Sequence, residues 1–460
     1  MNDDDIMANA ATTKHEMMTT SPVESLICKL AVPTITGMLV SSLYNMADTY
    51  FVSSLGTSAI AGVGVVFSLM SIIQAVGFFF GHGAGNLISR SLGAKKTEEA
   101  KKMAATSFYT AFAVGLIIAI FGTIFIKPLA LLLGSTGTIL PYAVNYLRFI
   151  LLGAPFMVSS FMMNNLLRYQ GSALFGMIGM TAGAILNIIL DPIFIFILKM
   201  GVRGASLATM ISQCVSFLIL YFFACRKAGN IRIEFRSFSP SLKYYREIVR
   251  GGTPSLLRQS MQSLTTLLLN HAAGFYGDAV IASISITQRV FMLASSAILG
   301  FGQAFQPVCG FNYGAKRYDR VKKAFWFCLR VSTVLLIILA AACFIFAPSI
   351  IALFRHGDAE VLRIGTFMIR AQSLSLPFLG WVLLISFLLQ TIGKALPASI
   401  LAFARQGLFF IPQLFIIVPV LGVLGIQLCT PIADSCSFIL ALFLGIRALR
   451  KDLSVMVVER

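Results

Sequence analysis

From Leu26 onward the chain alternates long apolar runs with short polar breaks, and twelve such runs fit before the last one ends near Ile446. Each is about 20 residues, the length a helix needs to cross the hydrocarbon of a bilayer. The runs show no alternation of apolar and polar residues, and they are too long for barrel strands. Unpaired backbone groups are not tolerated in hydrocarbon, so each run is predicted to be a helix. The expected fold is an all-α membrane protein.

A second pattern lies over the first. GHGAGNLISRSLGAKK at 81–96 is written again, with changes, as GQAFQPVCGFNYGAKR at 302–317, an offset of 221. The same offset takes Pro33 to Pro254, Gly56 to Gly277, Lys101 and Lys102 to Lys322 and Lys323, Gly201 to Gly422, Gly204 to Gly425 and Thr209 to Thr430. With one added residue, Gly171-Ser172-Ala173-Leu174 meets Gly393-Lys394-Ala395-Leu396. The chain therefore reads as two homologous six-helix bundles. An even number of spans per half inserts both halves the same way round, which puts a pseudo-twofold axis along the membrane normal and a cleft between the bundles. The expected divisions are a tail at 1–25, a first lobe at 26–225, a basic linker at 226–250, a second lobe at 251–447 and a tail at 448–460.

Composition agrees: 57% of residues are hydrophobic and 12% charged, with a mean hydropathy of +0.86, against roughly a quarter charged in soluble domains. The net charge of +18 raises the question of nucleic acid, and its placement answers it. Twenty of the 36 Lys and Arg fall in four segments, Arg90–Lys102, Arg226–Arg250, Lys316–Lys323 and Arg447–Lys451. The alternate loops hold Lys127, Lys199, Arg203 and Arg355. This bias predicts that the four segments and both termini are cytoplasmic, with the charge directed to lipid headgroups and no nucleic-acid partner.

The first 20 residues are polar, include Asp3, Asp4 and Asp5, and lack the apolar core of a cleavable signal, so the first span is expected to direct its own insertion. Eight cysteines form no C-x-x-C pair and four histidines form no cluster, which points away from zinc, disulfides and a metalloenzyme. GHGAG follows a membrane span and no strand, so close helix packing suits it better than a dinucleotide loop.

Ionisable residues deep in a span are costly and point to function. Asp48 and Asp191 stand in the first half where the second has apolar residues near Leu269 and Ile411. Asn187 is one turn before Asp191, and Met180 stacks on the same face. Pro192 loosens the helix beside them. With Thr209 on the next span, Asp48, Asn187 and Asp191 would form an oxygen-rich pocket suited to Na⁺ or to a proton shared between carboxylates; the alternative is that the two acids only cap or snorkel. Asn164 and Met180 are candidates for a substrate cavity, or for plain interhelical bonding and packing. The second half is cationic instead: Arg289, Arg370 and Arg405 lie about ten residues into their spans, with Asp434 as a partner for one of them. They would make either an ion-pair network or a site for an anionic group. Arg258 and Arg330 are placed to reach water.

The stretches D-T-Y-F-V-S-x-L-G from Asp48, I-S-R-x-L-G-A-K from Ile88 and L-N-I-I-L-D-P from Leu186 resemble the multidrug and toxic compound extrusion (MATE) family, nearest its MepA-like and DinF-like bacterial branch. The resemblance covers nearly the whole chain. It implies a twelve-helix antiporter of the bacterial cytoplasmic membrane, active as a monomer without a cofactor, that exports hydrophobic and often cationic compounds in exchange for H⁺ or Na⁺. It also implies that Asp48, Asn187, Asp191 and Thr209 are the cation site. The second acidic site of the NorM-like branch falls on Gln262 and Trp381 and is expected to be absent. A lipid or lipid-linked glycan flippase, holding a phosphate with Arg289, Arg370 and Arg405, is the alternative. No catalytic cluster suggests an enzyme.

Overall fold

A computed structural model describes residues 14–226, 231–354 and 358–453; Asp3, Asp4, Asp5, Lys227 and Arg355 lie outside the described residues. The described residues contain no strand. The first lobe is built from α1 (Val23–Ser53), α2 (Thr57–Gly93), α3 (Thr97–Ile124), α4 (Leu140–Tyr169), α5 (Ala173–Pro192) and α6 (Val202–Arg226). The second follows with α7 (Leu242–Gly274), α8 (Asp278–Gly314), α9 (Tyr318–Ile345), α10 (Ala359–Thr391), α11 (Ala395–Phe403, extended by a wide turn at Ala404–Phe410 and by Ile411–Ile416) and α12 (Val423–Lys451). Eleven of these helices are long and apolar enough to cross a bilayer. The exception is α7, which carries Arg258, Gln259, Gln262 and His271 and packs along α2 and α11.

The internal repeat is visible in the backbone itself. Left-handed residues recur in matched pairs: Gly56 and Gly277 at φ 104° and 100°, Lys95 and Lys316 at 59° and 58°, Gly171 and Gly393 at 77° and 85°, Gly201 and Gly422 at 57° and 59°. α2 and α3 span the same residues as α8 and α9 when shifted by 221. Each lobe is organised around its fourth helix. α4 packs on α2, α3 and α6, and α10 packs on α8, α9 and α12; the central window of each is 78% buried.

The lobes meet through α1 with α8, α2 with α7, and α2 with α8, and glycines set how closely. A side chain at Gly93 would collide with the carbonyl of Phe311, and one at Gly314 with the carbonyl of Arg90. These are the same contact seen from the two sides of the pseudo-twofold axis, since each pair of positions differs by 221. Gly251 would likewise meet the Gly83 carbonyl at 2.9 Å, and Gly300 the Ile35 backbone at 2.8 Å. Helices without a hydrophobic drive between them associate through this kind of close backbone approach.

All of these contacts are grouped toward the end of the molecule that carries the basic segments. Arg90 pairs with Glu247 at 3.1 Å, Lys243 with Glu99 at 2.5 Å and Lys323 with Glu24 at 3.1 Å. Nearer mid-depth, Ser42 and Ser296 hydroxyls meet at 2.9 Å. The basic end is thus the sealed end.

Three expected boundaries move. Residues 14–20 form a short helix instead of a tail: Met18 is fully buried, and the carbonyls of Met18, Thr19 and Ser21 accept from Asn312, Arg317 and Arg320. α7 begins at Leu242, inside the expected linker, because Tyr244 and Ile248 bury an apolar face. α12 continues to Lys451, whose cationic last turn complements the helix dipole.

Candidate ion-coupling site and cavities

The first lobe holds both carboxylates away from solvent. Asp48, on α1, is 9% exposed and Asp191, at the end of α5, is fully buried. Both side chains are thus packed inside the lobe. Among the described residues no Lys or Arg forms an ion pair with either of them.

Local sequence explains the placement. Four residues separate Asn187 from Asp191, so both project from one face of α5. Pro192 has no N–H to give to the turn before it, and the helix widens into a π turn at Ile193–Ile197, a feature common where a helix is bent to a functional purpose. The Asn187 amide donates to Asp191 Oδ1 at 3.4 Å and to Thr209 Oγ1 of α6 at 3.3 Å. Turned over, its nitrogen reaches the other Asp191 oxygen at 3.2 Å, so the amide serves Asp191 in either orientation. Tyr146 of α4 donates its hydroxyl to Asp48 Oδ2 at 3.3 Å, while Asp48 Oδ1 is buried with no partner. Tyr44 and Gln213 stand with Asn187 and Thr209 in one cavity wall. The four residues singled out by spacing are therefore brought together.

Such a set consists of oxygens, with two carboxylates, an amide and hydroxyls. Among the described residues no group of three His, Cys, Asp or Glu could hold a metal ion. Hard monovalent cations or a proton match this chemistry better than a transition metal.

A cavity of about 630 Å³, partly open to solvent, reaches this site, with Asn187, Thr209, Tyr44, Met180 and Gln213 in its wall. A second, of about 490 Å³, is lined by Asn164, Arg168, Met177 and, from the other lobe, Gln303. Ser41, Gln74, Phe161 and Met180 line both. Asn164 and Met180 are thus both cavity residues.

The cationic set of the second lobe does not assemble as one network. Arg405, in the wide turn of α11, donates Nε to Asp434 Oδ1 at 2.6 Å, and Ser375 bonds the other oxygen at 3.4 Å. Arg370 is exposed and turns to the Phe344 carbonyl at 3.3 Å, its guanidinium 5.4 Å from that ring. Arg289 is exposed. Helix position alone put all three at one depth, but their helix faces differ. Arg258 also differs from expectation: it lies against the Phe387 ring at 5.1 Å with Nη1 buried. Trp381 donates to Thr333 at 3.1 Å. Tyr44, Tyr146, Arg168 and Gln213 went unrecognised in the sequence, where a tyrosine or glutamine inside an apolar run carries no spacing signal.

The MatE family signature matches residues 33–193 and again 254–416, two stretches that start 221 residues apart. The chain belongs to the MatE family. It is 31% identical over 437 residues to the multidrug export protein MepA of Staphylococcus aureus (strain MSSA476), covering 95% of this chain and 96% of that one. Among solved structures it superposes with a TM-score of 0.90 and 28% identity on MATE in complex with MaL6, over 96% of this chain and 99% of that one. It also superposes with a TM-score of 0.89 and 29% identity on a MATE family transporter of the MOP superfamily in its outward-facing conformation, over 96% and 98%. The two-lobe, multi-pass membrane architecture of this MatE protein follows from its fold and family together.

Proposed function

We propose that this MatE protein is a secondary active antiporter of a bacterial cytoplasmic membrane that exports hydrophobic, often cationic, compounds in exchange for H⁺ or Na⁺. The observation that carries the reading is a pair of buried carboxylates with no cationic partner among the described residues, beside Asn187 and Thr209, which line a cavity in one lobe. A buried charge without a partner is costly. An ion that neutralises Asp48 and Asp191 removes that cost, and its loss restores it. The ion thereby favours whichever arrangement of the lobes leaves the acids least solvated, which is the differential affinity that coupling requires.

With the four basic segments on the cytoplasmic side, the sealed basic end makes this the outward-open arrangement, in keeping with the likeness to an outward-facing relative. The ion reaches the carboxylates from outside as drug leaves, is carried through the return to the inward arrangement, and is released there to the cytoplasm. The name of the S. aureus relative supports the substrate class. The flippase alternative loses support because Arg405 is already neutralised by Asp434. The test is ethidium efflux from cells under an imposed pH gradient and then an imposed Na⁺ gradient, wild type beside Asp48→Asn. Efflux should follow one gradient and vanish in the variant; efflux that ignores both gradients overturns the reading.

A further inference from the structure

The segment ahead of α1 touches both lobes at the sealed end, and the coupling just described does not use it. Residues 14–20 form a single short helix, well under the length at which a helix holds its shape alone. Contacts from outside must hold it, and they come from two directions.

One set comes from the first lobe. His15 donates Nε2 to the carbonyl of Gly93, the last residue of α2, at 3.1 Å. Lys14 donates to the hydroxyl of Ser172, in the turn between α4 and α5. Met18, fully buried, lies over the same turn, where a side chain on Gly171 would come within 3.1 Å of its sulfur. The other set comes from the second lobe. Asn312 of α8 donates to the Met18 carbonyl at 3.1 Å, Arg317 to that of Thr19 at 2.6 Å, and Arg320 of α9 to those of Thr20 and Ser21 at 3.4 and 2.5 Å. These successive carbonyls are the ones a helix end leaves unpaired, and cationic donors there also meet the negative end of its dipole.

The donors of the second set are not shared by the other copy of the repeat. Shifted back by 221, Asn312, Arg317 and Arg320 become Ser91, Lys96 and Glu99. Glu99 accepts from Ser91 at 3.2 Å and from Lys243 of α7 at 2.5 Å. Arg320, in the equivalent place, puts its Nε on the Asn312 oxygen at 2.9 Å, which fixes that amide with its nitrogen toward Met18.

Opening the basic end separates α2, with Gly93, from α8 and α9. Residues 14–21 cannot keep both sets of bonds through that movement. Resting on the two lobe arrangements of the export reading, we propose that residues 14–21 are a clasp that holds the basic end shut, and that its release from one lobe is a required step in turning inward.

Double electron–electron resonance on the full-length protein in lipid nanodiscs tests this. With the eight cysteines replaced, nitroxides are placed on Glu98→Cys and Asp319→Cys, exposed positions at the basic end, 221 residues apart and one on each lobe. Three variants are compared with this parent. His15→Ala/Met18→Ala frees the first-lobe side, Arg317→Gln/Arg320→Gln frees the second, and Arg317→Lys/Arg320→Lys keeps the charge. The ratio of long to short separations should rise in the first two, by about tenfold in the Gln variant, the factor for losing a hydrogen bond to a charged group, with the Lys variant between parent and Gln. A ratio unchanged in both overturns the proposal. So does a rise in the Gln variant alone, which would confine the two arginines to a role within their own lobe. A parent whose ratio ignores pH and Na⁺, while both clasp variants still raise it, would count against ion coupling and uphold the clasp.

Discussion

Gly93 and Gly314 occupy equivalent places in the two lobes, and each presses its bare Cα against the helix of the other, Gly93 on the Phe311 carbonyl and Gly314 on that of Arg90. Because the obstructing atoms are backbone, no rotamer change can make room for a side chain. Gly93→Val or Gly314→Val should therefore part the lobes at the basic end. Cys309, fully buried on α8 in this interface, is the reporter: with the other seven cysteines replaced, a membrane-permeable maleimide should label it slowly in the wild type and at least about tenfold faster in either valine variant. Equal labelling would show that this contact does not hold the seal.

Substituting the carboxylates tests the ion site apart from folding. Asp48→Asn and Asp191→Asn keep the shape of each side chain and remove a buried charge that has no cationic partner. Charge burial of this kind costs stability, so both variants should melt in detergent at or above the wild-type temperature while ethidium resistance in cells falls to the level of an empty vector. Retained resistance in both would remove the two acids from the transport cycle.

Those two acids were legible in the sequence for a physical reason. A charge inside an apolar run is conspicuous, and the repeat supplied a control in which the same positions are apolar. The division into two lobes was legible because glycines at left-handed turns cannot drift, as the paired φ values at Gly56 and Gly277 or Gly201 and Gly422 show. What spacing could not give was the direction a side chain faces. Arg258 sits where it was expected to reach water, but α7 brings its guanidinium to the Phe387 ring of α10, a contact no local pattern encodes. Arg370 and Arg405 were assigned a common depth, and only the widened turn at Ala404–Phe410 aims Arg405 at Asp434.

Tyr146 offers a finer probe of the same site. Its hydroxyl donates to Asp48 at 3.3 Å, a bond that favours the ion-free carboxylate and competes with whatever neutralises it. Tyr146→Phe removes the donor without emptying space. The half-saturating concentration of the coupling ion should fall, by about tenfold at the level of a single bond to a charged group. Efflux measured against external pH and against external Na⁺ gives that concentration directly; an increase would mean that the hydroxyl helps to hold the ion.

The Arg405–Asp434 pair makes a prediction about stability and not transport. Its Nε–Oδ1 distance is 2.6 Å, with the Asp434 side chain 5% and the Arg405 side chain 26% exposed. Removing one partner strands the other: Asp434→Asn leaves an arginine without its anion, and Arg405→Met leaves a buried carboxylate with only the Ser375 bond. Loss of one partner of a buried pair costs about 3 kcal/mol or more, and the more buried acid should suffer more, so Arg405→Met is expected to be the less stable single variant. Removing both charges eliminates the stranded group, and the double variant Arg405→Met/Asp434→Asn should recover most of the loss. Thermal melting of the four proteins in one detergent decides it: a double variant as unstable as the sum of the singles would mean that the two residues act independently, and that the arginine is held by its surroundings instead of by Asp434.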